Sequence, residues 1–312
     1  MGGKLYILTI SVVALGGVNL FFILQSPPSQ GGEYLSAFEP AFDSTEAYVL
    51  PVVEPSYYPI LNSNVQRPSL NGTSAIIYSV GSSRVLFAKN ADVRLPIASV
   101  TKVLSALVAR DLFAMDEVVT VPSSAVRVDE EQQELYVNEE IAVGSLIKLM
   151  LVKSSNDAAY ALAAHAQRRG IDFVGRMNEK ARELSMRDSH FLDPAGLNND
   201  GYATAHDLAM LFSSVLRERD LWDVSLEREV SVTSWDGKIT HRAENTNQLL
   251  DEFPNIVGGK TGFTTEAQGS MVLMVAVPAG HDTIISVVLN SPTRFEDTRQ
   301  LIGWVLNAYR WQ

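Results

Sequence analysis

Ser99 and Lys102 stand three residues apart in Pro96-Ile97-Ala98-Ser99-Val100-Thr101-Lys102, at the head of an apolar run with helical spacing. On a helix that spacing puts both side chains on one face with Cβ atoms about 5–6 Å apart, so they can touch. A serine hydroxyl becomes a nucleophile when a base takes its proton, and an amine can be that base if burial or a second cation keeps it unprotonated. Free N–H groups at the helix start can stabilise the oxyanion such an attack creates. In isolation the pattern is more often an N-cap serine followed by an ordinary lysine, so other residues must support it.

Two further segments do. Leu149–Leu162 reads LMLVKSSNDAAYAL, with Ser154-Ser155-Asn156 where one helical run stops and the next begins and Asp157 as a further capping carboxylate. An exposed hydroxyl at Ser154 can pass a proton to a leaving group, and Asn156 can hydrogen-bond an amide substrate. Gly258-Gly259-Lys260-Thr261-Gly262 comes just before the strongest strand. Its glycines allow another backbone close, as an edge strand gripping an extended peptide requires. Lys260 can pair with a substrate carboxylate and, as a nearby cation, disfavour a proton on Lys102, while Thr261 adds a hydroxyl to the same carboxylate.

A Ser-x-x-Lys, a Ser-x-Asn and a Lys-Thr-Gly element in this order resemble the serine D-alanyl-D-alanine carboxypeptidases, the low-molecular-weight penicillin-binding proteins of the β-lactamase/transpeptidase-like fold. The likeness runs from about Ser74 to Trp311, through Arg94-x-Pro96-x-Ala98-Ser99-x-Thr101-Lys102, Ser154-x-Asn156-Asp157-Ala158, Phe191-x-x-Pro194-x-Gly196-Leu197, Thr204-Ala205-x-Asp207 and Asn245-Thr246-Asn247. It implies an enzyme that cuts the bond between two D-alanines of a peptidoglycan stem pentapeptide through an acyl-enzyme, without a cofactor, and that β-lactams acylate as substrate mimics. By the same resemblance Ser99 is the nucleophile, Lys102 its base and Ser154 the proton shuttle. Asn156 contacts the substrate, and Lys260, Thr261 and Gly262 form the carboxylate-gripping strand.

The oxyanion hole then uses the N–H of Ser99 and a second donor after Gly262, which is Gln268 by register or Gly269 if a bulge intervenes. Where the family has Thr-x-x-Ala-Gly after its Lys-Thr-Gly, this chain has Thr264, Ala267 and then Gln268 ahead of Gly269. Three rivals share much of the pattern: a D,D-endopeptidase acting on crosslinks, a β-lactamase, and an inactive cell-wall-binding protein. A class A β-lactamase needs a deacylating Glu-x-x-Leu-Asn, which 160–200 lacks; Glu183-Leu184 fits the outer side of a helix.

The elements that must hold these residues follow from periodicity. Ser74–Val80 and Arg84–Ala88 flank Gly81-Ser82-Ser83 as a β-hairpin. Val100–Leu112, Val143–Lys153, Ala158–Gln167, Phe173–Leu184 and Ala205–Arg217 carry apolar residues at helical spacing. Gly269–Val277 and Thr283–Asn290 form a second hairpin around Pro278–Asp282, and Leu301–Trp311 closes the chain as a helix. The expected architecture is α/β (α+β): one antiparallel sheet built from both chain ends, packed by the terminal helix, with a mostly helical lobe inserted.

Three segments are expected: 1–25 as cytoplasmic tip and membrane anchor, 26–69 as tether and 70–312 as catalytic domain. Leu5–Leu24 lacks charge and as a helix would span about 30 Å of hydrocarbon. It runs into Gln25-Ser26-Pro27-Pro28 without a small-x-small cleavage site, so it reads as an uncleaved single-pass anchor. With Lys4 ahead of it and Glu33, Glu39, Asp43, Glu46 and Glu54 behind, the N-terminus faces the cytoplasm and the rest the extracytoplasmic side. Six of the 13 prolines fall in 26–66, which makes that stretch an extended tether, and its aromatic residues imply that part of it lies against the domain or a partner. A formal charge of −11 with no basic run argues against nucleic acid. The absence of cysteine removes thiol chemistry, and the five scattered histidines form no metal-binding motif.

Overall fold

The structure, a computed structural model, describes residues 58–128, 133–277 and 282–311. The expected anchor Leu5–Leu24, the tether up to residue 57 and most of the connection at 278–282 lie outside the described residues. The chain enters as a short strand, β1 (Pro59–Leu61), followed by β2 (Ser74–Ser79) and β3 (Arg84–Lys89), the N-terminal hairpin that the sequence predicts. A 3-10 turn at Ala98–Val100 leads into α1 (Thr101–Leu112). Short elements β4 (Val118–Thr120), α2 (Ser123–Val126) and β5 (Glu140–Ala142) precede α3 (Val143–Val152), α4 (Asn156–Arg168), α5 (Phe173–Glu183), α6 (Ala205–Ser214) and α7 (Arg219–Leu226). The hairpin β6 (Glu229–Thr233) and β7 (Thr240–Glu244) then leads to β8 (Ile256–Thr264), β9 (Gln268–Ala276), β10 (Thr283–Ser291), α8 (Arg294–Ala308) and β11 (Tyr309–Trp311).

Five strands form one antiparallel sheet in the order β3-β2-β10-β9-β8, so the N-terminal hairpin joins the C-terminal strands through the β2–β10 pairing. Alternation along the strands assigns the two faces. Ala75, Ile77, Met271, Leu273, Val275, Ile284 and Val288 pack with Leu301, Ile302, Trp304 and Val305 of α8. Ile76, Val272, Met274, Ile285, Val287 and Leu289 share a core with the helices of the inserted lobe, including Val103, Leu104, Leu208 and Phe212. A sheet covered on both faces favours continuous apolar runs, and β9 and β10 are just that.

The Lys-Thr-Gly segment lies in β8, an edge strand whose glycines are buried against neighbours, directly ahead of the apolar β9, as the sequence predicts. Two expectations change on the structure. The terminal helix starts at Arg294, earlier than predicted, and stops at Ala308; Tyr309–Trp311 turn extended because Pro59–Leu61 offer them an antiparallel partner. The β6–β7 hairpin has no counterpart in the predicted elements, although Glu229–Thr233 and Thr240–Glu244 both alternate strictly between exposed and buried residues.

Asp297, fully buried on α8, stitches the chain ends together. Its carboxylate accepts the backbone N–H groups of Asn71 (3.0 Å) and Gly72 (2.7 Å) and the hydroxyl of Ser291 (2.6 Å). Asp297→Ala leaves three donors without their acceptor and is expected to lower unfolding free energy by about 3 kcal/mol, read as the denaturant midpoint.

Candidate active site

Lys102 sits on the first turn of α1, fully buried, with Nζ 2.7 Å from Ser99 Oγ and 3.0 Å from the Ala195 carbonyl oxygen. Ser99 occupies the 3-10 turn just before α1, and Ala98 takes a left-handed backbone (φ 50°) that delivers it. Two glycines make this placement possible. At Gly196 (φ 78°) a Cβ would lie 2.0 Å from the Ala98 carbonyl oxygen, and at Gly262 one would lie 2.7 Å from the Ile97 oxygen and 3.0 Å from the Ser99 nitrogen. The loop at 196 and strand β8 therefore both pack closely on the Ile97–Ser99 backbone.

Ser154 stands in the α3–α4 turn, also left-handed (φ 69°), and Lys260 Nζ donates to its Oγ at 2.8 Å and to the Thr261 carbonyl at 2.9 Å. Strained non-glycine backbone at Ala98 and Ser154 is of the kind that clusters at functional sites. Ser155 caps α4 by accepting the Ala158 N–H (3.2 Å). Asp157, in the first turn of α4, bonds its own N–H and also reaches beyond the helix: its buried carboxylate accepts the N–H groups of Glu134 (2.7 Å) and Leu135 (3.0 Å), holding the segment before β5 against the Ser-x-Asn turn. Burial pushes the Asp157 carboxyl above its ordinary value, with those N–H bonds opposing. Asn156 is buried next to it at the head of α4. Thr261 meets Thr246 hydroxyl to hydroxyl at 2.6 Å, and the Thr246 N–H donates to Val152 O, tying β8 to the end of α3.

The second oxyanion donor falls elsewhere than expected. Gln268 opens β9 opposite Thr264, in a left-handed conformation (φ 52°), with its amide donating to Thr265 O; Gly269 pairs with Phe263. It is Gly262, not β9, that touches the Ser99 backbone. The Thr261 carbonyl receives the Lys260 amine on the edge of β8 that no strand covers. Because N–H and C=O of one residue point to the same side of an antiparallel strand and alternate along it, Phe263 turns its N–H to that same open edge. Phe263 N–H beside Gly262 is therefore the donor next to Ser99.

Arg294, which the sequence pattern does not single out, completes the cationic lining. It starts α8 directly after the sheet, lies over the rings of Phe263 (5.6 Å) and Phe295 (4.6 Å), and its buried Nε has no hydrogen-bond partner among the described residues. Burial lowers its pKa, yet a guanidinium stays charged. Lys260 is held well below the ordinary lysine value, first by burial and then by the charges of Lys102 and Arg294. Three basic groups thus converge in a chain of net charge −11, an arrangement suited to a carboxylate. Among the described residues no group of three His, Cys, Asp or Glu side chains could hold a metal ion, and Glu183 lies exposed at the end of α5.

Lys260 has a folded-state pKa below its unfolded value, so the unfolded chain binds more protons and the folded state is penalised at low and neutral pH, a penalty that fades as pH rises toward the ordinary value of 10.5. Lys260→Met is expected to stabilise the fold by about 1–4 kcal/mol near pH 7, with a smaller gain at pH 10, while abolishing reaction at Ser99. Thermal unfolding of both proteins across pH checks the sign.

A family model described as D-alanyl-D-alanine carboxypeptidase matches residues 62–293. The D-alanyl-D-alanine carboxypeptidase DacF of Bacillus subtilis is 29% identical over 242 residues, which cover 73% of this chain and 59% of the relative, so the match spans little over half of that protein's length. A D-alanyl-D-alanine endopeptidase of Escherichia coli is 29% identical over 250 residues, covering 78% of this chain and 80% of the relative. The crystal structure of the Streptomyces K15 DD-transpeptidase superposes with a TM-score of 0.71 at 27% identity, over 78% of this chain and all of that one. The family match spans the sheet and the inserted lobe together, including all three motifs that meet at Ser99, and on that basis this chain belongs to the D-alanyl-D-alanine carboxypeptidase family of serine peptidases.

Proposed function

We propose that the protein is a serine-type D-alanyl-D-alanine carboxypeptidase acting on peptidoglycan stem peptides, and that β-lactams acylate it. The observation carrying this reading is the 2.7 Å contact between Ser99 Oγ and a fully buried Lys102 amine, beside the second amine of Lys260. Ser99 Oγ attacks the carbonyl between the two D-alanines and its proton passes to Lys102. The oxyanion is held between the N–H groups of Ser99 and Phe263. Collapse expels the terminal D-alanine, whose amine takes a proton through Ser154, and water then cleaves the acyl-enzyme. Lys260, Thr261 and Arg294 receive the substrate's terminal carboxylate. That anion favours the proton on Lys260, which leaves Lys102 as the amine free to act as base.

The E. coli relative named an endopeptidase supports a second reading, cleavage of D,D-crosslinks by the same residues. A purified protein assayed on a pentapeptide and on a crosslinked dimer separates the two. The segment Leu5–Leu24 supports a single-pass membrane anchor with the catalytic domain on the extracytoplasmic side.

Fluorescent penicillin is expected to label the wild-type protein for minutes and to leave Ser99→Ala unlabelled; rapid turnover would point to a β-lactamase and no label to an inactive protein. A chain lacking residues 1–25 is expected to be soluble and to label equally. Arg294→Leu is expected to raise KM for a D-alanyl-D-alanine peptide about tenfold or more through loss of a charge-assisted contact, with a smaller effect on kcat.

A further inference from the structure

We propose that Asp193 is a positioning residue for the general base: its carboxylate shapes the 193–198 loop so that the Ala195 carbonyl holds the Lys102 amine in line with Ser99. The proposal rests on the acylation chemistry assigned above. It starts from a dense set of bonds on one side chain. Asp193 Oδ1 accepts the N–H groups of Ala195 (2.7 Å), Gly196 (2.7 Å) and Leu197 (3.2 Å), and Oδ2 accepts that of Asn198 (2.7 Å). Tyr160, one helical turn beyond Asn156 on α4, adds its hydroxyl; burial and then the Asp193 charge and hydrogen bond push the phenol up to about 12. Asp193 is itself buried.

The loop so fixed grips the 3-10 turn and the start of α1 with three consecutive residues. The Pro194 carbonyl accepts the Ser105 hydroxyl (2.6 Å), the Ala195 carbonyl accepts Lys102 Nζ (3.0 Å), and Gly196 packs on the Ala98 carbonyl. Close packing does not hold the loop from outside, since a cavity of 840 Å³ opens against Tyr160, Asp193, Pro194 and Asn198. The carboxylate substitutes for that missing support.

A neutral amine has two N–H donors and one lone pair. With one N–H held by the Ala195 carbonyl, rotation about the Cε–Nζ bond is restricted and the lone pair can be kept on the Ser99 hydroxyl; after proton transfer the same carbonyl stabilises the ammonium. Charged groups near Lys102 include Lys260, with Arg294 close to it, on the sheet side, and Asp193, bonded to the Ala195 N–H, on the loop side. The loop side thus favours the proton on Lys102 and the sheet side opposes it.

The test uses the full chain, with acylation by fluorescent penicillin followed from pH 5 to 10, kcat and KM on a D-alanyl-D-alanine peptide, and thermal unfolding as a control. Asp193→Ala is expected to slow acylation roughly 100-fold, the scale of loss for a misplaced catalytic group, with kcat falling and KM nearly unchanged. The acid limb of its rate profile is expected to move to lower pH, because both the anion and the aligned carbonyl favour the protonated amine. Asp193→Asn, which keeps one acceptor oxygen, is expected to fall between, and Tyr160→Phe to slow acylation several-fold in the same direction. Should Asp193→Ala not fold, these two milder variants carry the test. Folded variants that acylate at the wild-type rate with an unmoved acid limb overturn the proposal. Failure of the wild-type protein to label at Ser99 instead overturns the assigned chemistry, so the two failures are distinguishable.

Discussion

Two buried amines and a partly buried guanidinium lie close enough to shift one another's charge. Lys102 and Lys260 are almost wholly buried, and like charges at such range compete for protons instead of all keeping them. An isolated helix with a serine and a lysine three apart would offer a solvated, fully protonated amine and no reaction. On the proposed chemistry the α1 lysine acts as a base because the sheet's edge is brought against it, and Arg294 and Lys260 together offer that edge to an anion. Folding therefore brings together groups whose protonation states depend on one another.

The inter-element contacts around Ser99 serve that purpose. Gly262 lets β8 approach the Ser99 nitrogen, Gly196 lets the 193–198 loop approach the Ala98 oxygen, and the Thr246–Thr261 hydroxyl pair ties the strand to the inserted lobe. The sheet is a firm base for this, with α8 on one face and the lobe's helices on the other. Among the described residues eight non-glycine positions take left-handed backbone, and three of them, Ala98, Ser154 and Gln268, stand beside the functional segments.

Much of this was legible in the sequence. The sheet built from both chain ends followed from two hairpin patterns at opposite ends of a helical block, since strands buried on both faces leave long Val, Ile and Leu runs. Ser99 and Lys102 were readable because helical spacing alone makes them neighbours. Ser154 and Lys260 became neighbours only through tertiary folding, and it was resemblance, not local physics, that joined them. Arg294 left no local signal: it belongs to the site because β10 ends there, and helix start signals in Ser291-Pro292-Thr293 gave no hint of what the first helical residue would face. Asp193 was invisible for a similar reason, its partners being backbone groups, which a sequence does not distinguish. The sequence points past Gly262 to the next strand for the oxyanion donor, because the open edge of β8 becomes visible only once the strand order is known.

The pairing of β1 with β11 has a mechanical consequence. Any pull transmitted into the domain through residue 58 meets first the three residue pairs that join Pro59–Leu61 to Tyr309–Trp311 and the Asn62 N–H on the Ala308 carbonyl. From there the load passes down α8, and through the Trp311 indole to Asp282, whose carboxylate also holds Ser79 and Gly81 where β2 meets β10. Strand β8 lies at the other border of the sheet, with β9 between it and β10. Traction entering at residue 58 would thus be taken up by the β1–β11 pair, α8 and the β2–β10 junction, with β9 standing between that path and β8.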